Sequence, residues 1–167
     1  MPMIDVYAPT GAFKDKHQLA RDLAATVMLI EKVPDITMFR ENTAAFIHEM
    51  PSDSMANVDG ASDSVRVQVL TNAGALDRSK QIAMVARLRA VIAGAPGDPP
   101  PAHRIWVLLT EAPEGGWGLW GHAHTNDELV AAARREMAAA QSAQAGDPSA
   151  TSVPTADSPL PSVPYRL

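Results

Sequence analysis

Pro2 directly follows Met1, so cleavage of Met1 would convert its ring nitrogen into a free secondary amine. Such an amine has a reference pKa near that of an α-amino group, roughly 8. Burial in an apolar recess lowers it further, because the cationic form is disfavoured there. The neutral amine is then a general base near neutral pH, and its protonated form is an acid. Arg78 is the candidate partner for an anion or a developing enolate. It falls in the first turn of an expected helix, where a cation opposes the dipole and needs another reason to be present. Trp117 would wall the substrate and keep the amine poorly solvated. Arg66 and Trp106, both on expected strands, complete the candidate substrate-binding set, with Arg104 a lesser one.

Other chemistries find little support. His122 and His124 share one side of an extended segment with Glu111 or Asp127 near in sequence, but no third ligand is fixed by spacing, so no metal site is expected. The chain has no cysteine, which excludes disulfides, thiolate nucleophiles and cysteine-bound zinc. No Ser-His-Asp pattern, phosphate loop or dinucleotide fingerprint is visible, and no cofactor is expected. The net charge is -5 with scattered basic residues, which argues against nucleic acid. No apolar run is long enough to span a bilayer and no signal peptide is visible, so the expectation is a soluble protein without a membrane partner, in the cytoplasm.

The elements that must position Pro2 are written twice. Gly11-Ala12-Phe13 before Lys16-His17-Gln18-Leu19-Ala20 matches Gly74-Ala75-Leu76 before Ser79-Lys80-Gln81-Ile82-Ala83, 63 positions later, and His48-Glu49-Met50-Pro51 matches Thr110-Glu111-Ala112-Pro113 at 62. Val65 then stands opposite Pro2, so proline occurs only at the first strand start. Met3 to Ala8 alternates as a strand, with Ile4, Val6 and Ala8 on one side. Leu19, Leu23, Val27 and Ile30 recur at helical spacing between about Lys14 and Glu31. Thr43 to His48 reads as a second strand. The second copy predicts a strand over 65–71, a helix over about 77–93 with stripe Ile82, Val85, Leu88 and Ile92, and a strand over 104–110. Gly94 is its expected C-cap. Glu49 and Glu111, mirrored in the two copies, suggest a shared structural hydrogen bond.

Each copy is therefore a βαβ unit with parallel strands. The expected fold class is α+β: two consecutive units sharing a four-stranded mixed sheet with two helices on one face, plus a C-terminal helix and a disordered tail. The expected two-copy domain covers 1–124, with copies at about 2–60 and 65–124. A helix follows over 125–145, opened by the capping-box spacing of Thr125 and Glu128. Residues 146–167 are rich in Pro, Ser, Thr and Ala and are expected to be disordered.

Pro2, the Gly11 turn into the Lys16 helix, Ile105-Trp106-Val107 leading to Glu111-Ala112-Pro113, and the Gly116–Gly121 segment occur in an order that resembles the tautomerase superfamily. The likeness spans roughly residues 2 to 124. It is nearest the fused two-copy members, a group including malonate semialdehyde decarboxylase and the cis-3-chloroacrylic acid dehalogenases, alongside enzymes like 4-oxalocrotonate tautomerase (4-OT). This implies a homotrimer and an N-terminal proline acting as general acid and base. Departures narrow the substrate. The arginine that binds a carboxylate in 4-OT is replaced by Ala12 and Ala75, and a second arginine by Ala44 and Trp106. The resemblance thus implies a tautomerase or isomerase acting on a small enolisable or unsaturated carbonyl compound with at most one carboxylate. A decarboxylase or hydratase on the same scaffold, or a non-catalytic binding or scaffold protein, are the alternatives.

Overall fold

The computed structural model describes residues 1–145; the expected disordered tail lies outside the described residues. Four strands form the main sheet: β1 (Met3–Pro9), β2 (Ala44–Met50), β3 (Val65–Asn72) and β4 (Ile105–Ala112). Their order is β2-β1-β3-β4, with β1 parallel to β2, β3 parallel to β4, and β1 antiparallel to β3. The mixed sheet of two βαβ units is therefore present, with the copies meeting at their first strands.

Strand alternation decides which face is covered. Ile4, Val6 and Ala8 on β1, and Val65, Val67 and Val69 on β3, are fully buried. Helices α1 (Lys16–Glu31) and α3 (Arg78–Ala93) supply the rest of that core through Leu19, Leu23 and Val27 and through Met84, Leu88 and Ile92. Each helix starts at an aspartate. Asp15 accepts from the Gln18 N–H and Asp77 from the Lys80 N–H, both at 2.8 Å, satisfying donors the first turn leaves open. The expected glutamate symmetry is also present: Glu49 accepts from the Gly11 N–H at 3.0 Å and Glu111 from the Gly74 N–H at 3.1 Å.

Three features differ from the sequence expectation. The buried stripe of α3 runs through Met84, Leu88 and Ile92, whereas Ile82 and Val85 are exposed beside the edge strand β4. A short helix α2 (Thr37–Glu41) follows α1. It has no side-chain cap of its own, and the Met38 N–H donates to Glu136 from a distant helix at 3.2 Å. Beyond β4, β5 (Trp117–Leu119) and β6 (His122–His124) form a separate antiparallel hairpin whose turn holds Trp120 and Gly121 at positive φ. Helix α4 (Asn126–Ala145) then begins at the expected capping box: the Thr125 N–H donates to Glu128 at 2.8 Å, and the Glu128 N–H to the Thr125 hydroxyl at 3.3 Å. No described helix is long and apolar enough to cross a membrane.

Candidate active site

The start of β1 lies at the centre of a second apolar cluster, separate from the sheet-and-helix core. Met1, Met38, Ala112, Trp117, Leu129 and Ala133 are all buried there, drawn from the N-terminus, α2, β4, the hairpin and α4. Pro2 is fully buried. Its carbonyl accepts from the Ala44 N–H at 3.3 Å, which ties the strand start to β2. Beside Met1 opens a cavity of about 350 Å³, bounded by Glu31, Phe39, the Gly74 turn and α4.

Glu31 is the polar feature of this cavity. Its side chain is only 4% exposed, and one carboxylate oxygen stands 3.7 Å from the Met1 amine. The other oxygen, Oε1, is buried without a hydrogen-bond partner. Burial pushes the Glu31 carboxyl above the usual carboxylate range, partly offset by the amine and by Lys80. Burial likewise lowers the Met1 amine, against the opposing pull of Glu31. The terminal nitrogen and the carboxyl thus form one coupled proton-binding pair in an apolar setting. Lys32 and Arg134 line the same cavity from exposed positions, giving it a cationic rim.

Of the residues singled out from sequence, the chain brings Pro2 and Trp117 into one neighbourhood. Trp117 is buried in the same cluster as Met1, and its Nε1 has no partner. Arg78 lines a different groove, between α3 and β4, with Gln81, Ile82, Val85 and Arg89. Arg66 and Trp106 are cross-strand neighbours on the sheet face that no helix covers. Arg66 lies over the Tyr7 ring at 5.2 Å and bonds Gln68 at 3.1 Å. Tyr7, its partner across β1, is five residues from Pro2, roughly 16 Å along a strand. Arg104 faces Asp63 at 3.6 Å.

The residue missed from sequence is Glu31. Leu19, Leu23 and Val27 recur every four residues, and one further step lands on Glu31, a carboxylate in a core-facing register. Ala75, at the position where the resemblance replaces an arginine, lines the cavity. His122, His124 and Glu128 converge within 4.8 Å of one another, and Glu128 already bonds the Thr125 N–H and, at 3.2 Å, His122.

No family model matches the sequence, and no curated protein matches it. Solved structures do share its fold. A fused 4-OT described as an asymmetric trimer superposes with a TM-score of 0.62 at 21% identity, covering 76% of this chain and 98% of that one. Malonate semialdehyde decarboxylase, in a study of its decarboxylase and hydratase activities, gives 0.57 at 13% identity, covering 78% and 98%. A macrophage migration inhibitory factor-like protein from Entamoeba histolytica gives 0.56 at 13%, covering 74% and 96%. These neighbours are all of the tautomerase superfamily. The chain has the fused βαβ fold of that superfamily.

Proposed function

We propose that this chain is a tautomerase in which Pro2, freed by removal of Met1, acts as general acid and base on a small enolisable or unsaturated carbonyl compound. The observation that carries this reading is the burial of the chain start. The Met1 nitrogen sits in the apolar cluster that includes Trp117 and lines a cavity, where desolvation favours its neutral form, and the buried Pro2 nitrogen that excision would free starts in the same setting. Met1 stands in for the substrate in that picture: its amine and thioether chain fill the space that excision vacates. Pro2 would abstract a proton from carbon and return it elsewhere, while donors facing the oxygen stabilise the enolate.

The reading includes a homotrimer. Its support is the exposed apolar surface around the edge strand, with Trp106, Leu108, Ile82 and Val85, together with the trimeric fused 4-OT that shares the fold. Arg78 lines a groove on that surface and so would serve a Pro2 site of a neighbouring chain. Arg66 and Trp106, on the uncovered sheet face, would meet substrate only through such an assembly.

The test uses protein with a native start and mass-confirmed loss of Met1. A fold neighbour is described as inactivated by 2-oxo-3-pentynoate, which makes this compound a suitable probe. Covalent labelling mapped to Pro2, and ketonisation of a simple enol lost in Pro2→Ala, are the expected results. Equal rates for Pro2→Ala and the parent would instead favour a binding or scaffold protein.

A further inference from the structure

A carboxylate whose side chain is 4% exposed, with one oxygen lacking any partner, is costly to keep in an apolar cavity. Nothing in the packing of α1 requires it, since the equivalent stripe of α3 ends in Ile92. Glu31 looks across the space held by Met1. The Pro2 nitrogen is bonded to the Met1 carbonyl carbon, and the Met1 amine is 3.7 Å from Glu31. Excision of Met1 therefore leaves a residue-sized gap with the imino nitrogen on one side and the carboxyl on the other.

We propose that Glu31 is the acid–base partner of Pro2, bonding the carbonyl or enol oxygen of the bound substrate and restricting that end of the cavity to uncharged groups. This rests on the Pro2 reading above and names the substrate class for it. The body of the substrate replaces the Met1 side chain against Trp117 and Leu129 and is apolar. A single carboxylate, where the substrate has one, points to the rim at Lys32 and Arg134. A second carboxylate would lie against Glu31, where like charges in a poorly solvated site repel strongly.

The proton inventory closes. In the keto-to-enol direction the substrate C–H bond breaks and its proton goes to the Pro2 nitrogen. The C–H electron pair forms the new C=C bond, the carbonyl π pair moves to oxygen, and that oxygen takes the Glu31 proton. Pro2 is left as the cation and Glu31 as the carboxylate, and return of one proton from nitrogen to carboxylate resets the pair. Burial raises the Glu31 carboxyl and so favours the protonated acid this sequence needs; the apolar setting that lowers the Met1 amine would disfavour the cation of the Pro2 nitrogen in the same way once Met1 is removed.

The test compares acetylacetone (neutral), phenylpyruvate (one carboxylate) and oxaloacetate (two) on Met1-free protein. Turnover of the first two with kcat/KM at least about tenfold lower for oxaloacetate is expected. Glu31→Gln should lower kcat on acetylacetone about 100-fold with little change in KM. It should also remove the alkaline limb of the kcat–pH profile, because that limb follows loss of the Glu31 proton. A purely structural glutamate would leave that limb in place. Should Glu31→Gln fail to fold, Glu31→Asp, which keeps the charge but withdraws the carboxyl, must lower kcat; unchanged kcat overturns the proposal. Parent-like kcat and alkaline limb in Glu31→Gln, with Pro2→Ala inactive, overturns Glu31 and leaves Pro2 standing. Pro2→Ala as active as the parent overturns both.

Discussion

At one end of the sheet, the start of β1 and the Gly74 turn of the second copy enclose the cavity that holds Met1 and the buried Glu31; at the related end, the Gly11 turn of the first copy, Asp63 just before β3 and the segment Asp98 to Pro101 line a depression of about 430 Å³ that contains no buried carboxylate. The loop after α3 braces that turn. Phe13 and Gly97 form an isolated bridge, the Lys14 N–H donates to the Pro96 carbonyl at 2.9 Å, and the Asp98 N–H to the Ala12 carbonyl at 3.0 Å. Both turns keep the same glutamate bond, from Glu49 and from Glu111. The two ends differ in the segment that leaves each helix. After α3 the chain is bonded to the neighbouring turn; after α1 it leaves Glu31 and Lys32 on the wall of a cavity roofed by α4. A duplicated scaffold can thus brace one end with main-chain bonds between the copies and place a buried carboxylate and the chain start at the other.

The largest effect expected from this difference concerns the strand starts. A residue left ahead of Pro2, or Pro2→Ala, should reduce labelling by 2-oxo-3-pentynoate by about 100-fold or more. Val65→Ala at the related start should cost about 1.5–3 kcal/mol of stability, measured by urea unfolding, and leave labelling rates unchanged. Labelling that responded equally to both changes would erase the functional distinction between the ends. Next in size is Gly97→Ala. Its backbone has φ +136, and a Cβ there would lie 2.5 Å from the Ala12 carbonyl oxygen. On the order of 2–3 kcal/mol of stability should be lost, again with Pro2 labelling intact.

A third change converts the Glu31 end toward the diacid chemistry that the resemblance associates with an arginine after the glycine turn. Ala75→Arg would put a cation on the wall of the cavity that contains Glu31. It should raise kcat/KM for oxaloacetate about tenfold relative to acetylacetone. Ala12→Arg, at the related end away from Glu31, should leave that ratio unchanged, and equal responses would show that charge in the Glu31 cavity does not set substrate choice.

The repeat, the β1 alternation and the α4 capping box were legible because each is a local pattern whose partners lie within one element or one copy. Glu49 and Glu111 were legible because the repeat wrote them twice. The α3 stripe was misjudged for a physical reason: Ile82 and Val85 have core-like side chains but face the groove beside β4, and Met84 takes the buried position. Helix α2 depends on Glu136, nearly 100 residues away, accepting from the Met38 N–H, which no local pattern signals. The hairpin turn uses Trp120 and Gly121 rather than the usual Asn-Gly or Asp-Gly, so its strands carried no turn signature. Glu31 was hidden by Ile30, which fitted the apolar stripe and is itself only partly buried.

The smallest effect expected is a difference in pH dependence between one glutamate of each end. Glu49 is held below its usual value by the Lys16 ammonium, at 2.9 Å, and by the Gly11 N–H. A depressed carboxyl contributes stability that is present above its unfolded pKa and lost as pH falls through the folded one, so its window lies below about pH 4.5. Glu31 has the opposite sign. Its carboxyl is raised by burial, so it favours the folded state most below the unfolded value, and that contribution is lost as pH climbs through the folded one. The terminal amine and Lys80 oppose this shift, with Lys32 and Arg134 at the rim of the same cavity. The lowered amine adds a rise in stability as pH approaches its unfolded value near 8. Thermal unfolding from pH 3 to 8 should therefore show Glu49→Gln flattening only the acid limb and Glu31→Gln flattening the decline above about pH 4.5. Identical profiles for the two variants would mean that the cavity is as well hydrated as the surface, and that Glu31 is not held in the apolar setting on which its partnership with Pro2 depends.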